Sequence, residues 1–119
     1  MTAPRAALLL AIACGAGPAL AHVPSARECR EASEFIYHAA QARDAGATRE
    51  FFIGKLQDDL VAIRAFPRSL RWFAQDAEDE ALLVSAAEAV FDRPQRDDDH
   101  RRAFEARCMS VARAGAGPR

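Results

Sequence analysis

A chain of 119 residues, half of them apolar and 28% charged, is one domain's length. Its 16 basic and 17 acidic side chains leave a formal charge of −1, without the basic excess that nucleic-acid binding draws on. Only one of the basic residues, Lys55, is a lysine.

Met1 to Ala21 reads as a cleavable secretory signal. Arg5 supplies the positive start, "AALLLAIAC" an apolar run too short to span a bilayer, and Ala19-Leu20-Ala21 the small-x-small form of a cleavage site. A cut after Ala21 makes His22 the first residue of a periplasmic or secreted chain with no transmembrane segment. The competing signal is "AIAC", a loose lipoprotein box in which Cys14 would be lipidated.

Loss of the signal removes Cys14 and leaves Cys29 and Cys108, an even count that in a small exported domain points to one disulfide. A catalytic dithiol normally has its cysteines two residues apart at a helix start, whereas these lie 79 apart. The bridge is therefore read as structural.

Four helices follow in order. Ser25-x-x-Glu28 is a capping box for the first, whose apolar stripe is Cys29, Ala32, Ile36, Ala39 and Ala40, and Gly46 ends it. Thr48 caps the second, with Phe52, Ile53, Leu56, Leu60 and Ile63 facing inward, and Pro67 stops it. Residues 67–75 form a connection with room for one helical turn. Asp76 caps the third helix above the acidic turn Glu78-Asp79-Glu80, which suits the positive end of the helix dipole. Leu82, Leu83, Ala86, Ala87, Val90 and Phe91 face the core, and Pro94 marks the end. Asp97 or Asp98 caps the fourth, with Phe104, Cys108, Val111 and Ala112 inward, and residues 114–119 are expected as a disordered tail. Short connections make neighbours antiparallel, so the expected fold is an all-α, four-helix up-down bundle over 22–113. That topology brings the start of helix one and the end of helix four together, where Cys29 and Cys108 stand.

Cys29, "ARDAG" (42–46), Val90-Phe91-x-x-Pro94 and Phe104-x-x-x-Cys108 together resemble a pattern in small exported two-cysteine helical proteins of proteobacteria. The resemblance covers most of the mature chain and implies a fold and a location. It carries over no catalytic residue.

Candidate sites are sparse. His22, as a free N-terminus, would offer its amine and imidazole to copper, but needs another nitrogen ligand from His38 or His100. His100 is expected at the opposite end of the bundle. Glu31, Glu34 and His38 share a helix face, and Asp97 and His100 an Asp-x-x-His spacing, yet the inward stripes are apolar. These groups are expected to face water, with Glu34 and His38 as an i,i+4 pair. In "ARDAG", Arg43 is expected to complement the negative end of helix one and Asp44 to accept N–H bonds from the turn.

"RAFPRSLRWFAQDAEDE" (64–80) mixes arginine with Phe66, Trp72 and Phe73 before turning acidic. Phe66, Leu70 and Phe73 are expected to plug the bundle's end. Arg68, Arg71 and Trp72 are the candidate partner contact, because Trp and Arg recur as interface anchors. No serine lies in a nucleophile elbow, and there is no phosphate loop or HExxH. The expected protein is a non-enzymatic binding or accessory module without a cofactor, such as an inhibitor, immunity protein or subunit. The alternative is a small copper-binding protein using His22.

Overall fold

The computed structural model describes residues 22–115. The signal-like segment with Cys14, its cleavage sites and residues 116–119 lie outside them. The described chain is all-α: α1 (Ala26–Asp44), α2 (Arg49–Ile63), a single 3-10 turn (Arg68–Leu70), α3 (Ala77–Asp92) and α4 (Asp97–Gly115).

The ends of the helices follow local chemistry. Ser25 Oγ accepts from the Glu28 N–H while Glu28 Oε1 accepts from the Ser25 N–H, so the capping box is complete. Gly46 has φ of 102°, which only glycine takes without strain. The N–H groups of Gly46 and Ala47 donate back to the carbonyls of Arg43 and Ala42, the paired bonds of a Schellman close. Thr48 accepts from the Phe51 N–H and Asp76 from the Asp79 N–H, starting α2 and α3.

The fourth helix differs from expectation. Neither Asp97 nor Asp98 is its cap, because α4 begins at Asp97 itself and the Arg96 carbonyl accepts from the His100 N–H. The three aspartates occupy the first turn, where their charge favours the helix dipole directly. At the other end, the helix runs through Ala114 and Gly115 into the expected tail.

Charged pairs fix the directions of the helices. Arg49 at the start of α2 bonds Glu88 and Asp92 at the end of α3, at 2.7 and 2.8 Å. Arg64, following α2, bonds Glu80 at the start of α3 at 2.7 Å. The two helices are thus antiparallel. The disulfide joins the start of α1 to the latter part of α4, with Cα atoms 5.5 Å apart. The expected up-down order is the order found.

The packing is not a square of equal neighbours. α1 lies most extensively on α4 and also on α3, while α2 packs chiefly on α3. The α1 stripe is mostly small (Cys29, Ala32, Ser33, Ala39, Ala40, with Ile36 the one large residue), so the backbones of α1 and α4 can approach closely. Phe73, Leu83, Val90 and Phe104 fill the centre. Val111, expected inward, is exposed. α4 continues seven residues past Cys108 whereas α1 has only three before Cys29, so the last turns of α4 outrun their partner.

Candidate functional site

The connection between α2 and α3 is held by its own side chains. With no ladder to satisfy its carbonyls, this loop needs other donors. Arg71 supplies them: its Nε donates to the Phe66 carbonyl at 2.8 Å and its Nη2 to the Arg64 carbonyl at 2.7 Å. Gln75 Nε2 donates to the carbonyls of Arg68, Arg71 and Trp72. Arg71 therefore serves the loop, and Arg64 is engaged by Glu80, whose carboxylate first through its hydrogen bonds raises the Arg64 pKa. Arg68 stays exposed.

The aromatic residues divide. Phe73 is fully buried, edge-on to Phe104 at 5.9 Å. Phe66 and Leu70, expected to plug the bundle beside it, are instead 50% and 71% exposed. The short turn at Arg68–Leu70 faces solvent, and one plug is sufficient to close this end. Trp72 is half-buried, edge-on to Phe35 of α1 at 5.6 Å. Phe35 in turn meets Phe52 of α2 at 5.8 Å. A groove of about 320 Å³ runs between Arg27 and Glu31 of α1 and Leu70 and Trp72 of the connection. A smaller, mostly apolar recess of about 100 Å³ is lined by Phe35, Phe51, Phe52 and Leu56, together with Lys55 and Asp59. Phe51 is 69% exposed. Trp72, in contact with Phe35, thus joins a largely charged groove to a smaller apolar recess.

The opposite end carries a buried polar knot. Arg43 leaves its own helix and reaches the end of α3, where Nη1 donates to the Val90 carbonyl at 2.7 Å and Nη2 to the Gln95 carbonyl at 2.8 Å. Arg43 stands in the last turn of α1, where its charge suits that helix's negative end as expected, and it also completes the end of α3. Asp44 accepts from Arg43 Nε and Nη2 rather than from turn N–H groups. His100, expected in water, is buried, and its Nε2 accepts from the Gln95 N–H at 2.9 Å with Arg43 Nη1 at 3.3 Å. An acceptor Nε2 makes this a neutral imidazole with its proton on Nδ1. Burial, then the Arg43 charge, lowers its pKa below the ordinary 6.5, while Asp99 and Asp44 act the other way.

A lowered folded pKa means that the stability from neutral His100 is fully present above about pH 6.5 and is lost as pH falls through the folded value. The melting temperature is expected to decline as pH goes from about 7 to about 5, and His100→Gln to flatten that decline. Asp79 has the opposite effect, since burial raises its pKa. The comparison of variants, and not the wild-type slope alone, therefore reads the histidine. An unchanged slope in His100→Gln would assign the decline elsewhere.

His22 has an unexpected setting. Its backbone N–H donates to Asp76 Oδ2 at 3.0 Å, its Nδ1 lies 2.8 Å from Asp79 Oδ2, and its Nε2 lies 3.3 Å from Glu28 Oε2. No second imidazole joins it: His38 pairs with Gln41 rather than Glu34, and His100 belongs to the far end. Among the described residues no group of three or more His, Cys, Asp or Glu is arranged to hold a metal ion. Glu31, Glu34 and His38 are exposed, and Asp97 donates no inward ligand, its Oδ1 accepting from the Asp98 N–H. Asp76, though burial works to raise its pKa, is lowered overall by the N–H groups of Asp79, His22 and Glu78. Sequence reasoning missed this contact because residues 22 and 76–79 meet only through the packing of α1 beside α3. The one available signal was the surplus of acid at the start of α3.

No helix among the described residues is long and apolar enough to cross a membrane. No protein-family model, curated protein or solved structure matches the chain.

Proposed function

We propose that this chain is an exported, non-enzymatic protein-binding or accessory module of the periplasm or the extracellular space, of the inhibitor, immunity-protein or subunit kind. The observation that carries this reading is the exposure of Phe66 and Leu70 on a connection whose backbone is fixed by Arg71 and Gln75. Apolar side chains presented on a rigid loop lose little conformational entropy when a partner covers them. Arg68 and the half-buried Trp72 flank them, and Phe51 extends the same face beyond Phe35. Export is supported by the signal-like start and by a disulfide, a bond that persists in oxidising compartments.

The test is co-purification from the native host with wild type, Leu70→Asp, and Phe66→Ala with Arg68→Ala. Because these side chains are exposed, folding should be nearly unaffected, within about 0.5 kcal/mol. A partner bound through this face should be lost by tenfold or more with Leu70→Asp. Undiminished recovery of every partner with both variants would remove the connection as the contact surface. Intact mass of the native protein, before and after reduction, checks export separately through the start residue and the two hydrogens missing from the bridge.

A further inference from the structure

The segment before α1 is docked although it forms no element. Pro24 is buried, and Val23 lies over Gly115 so closely that a Cβ there would come within 2.6 Å of Val23 Cγ2. Ahead of them, His22 is gripped by carboxylates from two helices: Asp76 and Asp79 at the start of α3, and Glu28 of α1. Asp79 is only 5% exposed, and its Oδ2 accepts from the Gln75 N–H as well as from His22. The cap bond of α3 uses the other Asp76 oxygen, Oδ1, so Oδ2 is directed at the His22 nitrogen. Three carboxylates converge on a residue whose nitrogen, inside a continuous chain, is a neutral amide.

From this geometry we infer that Asp76, with Asp79 and Glu28 holding the His22 ring, forms a receptor for the chain's own free N-terminus, completed when cleavage after Ala21 turns the His22 nitrogen into an ammonium. The cut hydrolyses the Ala21–His22 peptide bond: water adds, Ala21 leaves as a carboxylate and His22 keeps the amine, which takes up a proton. The N–H···O⁻ bond to Asp76, until then charged only at the acceptor, becomes an ion pair with charge on both partners. Cleavage thereby locks the start of the chain across α1, α3 and α4. This rests on the export reading for the position of the cut, but the lock is measured on purified protein.

Two forms are compared, one beginning at His22 and one retaining Ala21, each as wild type and as Asp76→Asn. Asparagine keeps the helix cap and removes the charge. The His22 form should melt higher by about 4–8 °C, the shift expected in a domain this size when the existing bond gains a second charge and becomes an ion pair. The gap should close in Asp76→Asn. In wild type it should also close as pH rises past the α-ammonium range, near 8 in an unfolded chain, which serves if Asp76→Asn does not fold. Equal melting of the two wild-type forms, or a gap that survives both Asp76→Asn and high pH, overturns the receptor. Native protein with a different first residue overturns the cleavage step while leaving any measured gap standing, so the two failures are distinguishable.

Discussion

Reduction of the Cys29–Cys108 bridge is expected to lower the unfolding free energy by about 4 kcal/mol. The bond closes a loop of 79 residues, nearly the whole described domain, so its absence returns a large conformational entropy to the unfolded chain. A domain of this size has a net stability of about 5–15 kcal/mol, so this loss is a large fraction of the total. Denaturant titration with and without reductant measures it. In reduced protein the thiols still fill the core and the change isolates loop closure. In Cys29→Ala/Cys108→Ala the lost volume adds to it. Both cysteines are wholly buried, so reductant must wait for the chain to open, and reduction should accelerate steeply with denaturant. A loss below about 1 kcal/mol would mean that the packing of α1 on α4 holds the ends without the bond.

Phe73→Ala is the substitution expected to cost most, about 3–5 kcal/mol. The side chain has no exposure although it sits in the connection, and it meets both Phe104 and Trp72 edge-on. Its removal opens a cavity against Phe104 and Trp72, in a core that the disulfide already holds in place, so the space cannot easily collapse. Phe66→Ala, seven positions earlier in the same connection, should change stability by no more than about 0.5 kcal/mol. Thermal or urea unfolding of the two variants side by side decides the matter. Equal effects would contradict the burial pattern.

The face that the proposed function uses inverts part of what the segment suggested. Arginine and tryptophan marked 64–80 as unusual, but composition does not say which of them serves the loop. Arg71 folds back along its own loop, where it meets the carbonyls of Arg64 and Phe66, and those carbonyls come within its reach only once the chain turns. Phe66, Leu70 and Phe73 are alike as apolar residues. Only the direction in which the turn at 68–70 leaves the bundle separates the buried one from the two exposed ones.

The helices themselves, their caps at Ser25, Thr48 and Asp76, the close at Gly46 and the pairing of Cys29 with Cys108 were legible in the linear chain. The caps and the close depend on residues within a turn of one another, and the pairing on Cys29 and Cys108 being the two cysteines outside the signal-like segment. The tertiary structure alone decided that Arg43 completes the end of α3, that His100 is buried beside it, and that His22 meets Asp76 and Asp79. Those contacts join residues more than 40 positions apart, and their existence depends on which helices lie side by side and at what height. Local propensity sets where a helix begins and ends. The relative placement of α1, α3 and α4 comes from filling one shared core, and the polar groups at its two ends meet as a consequence.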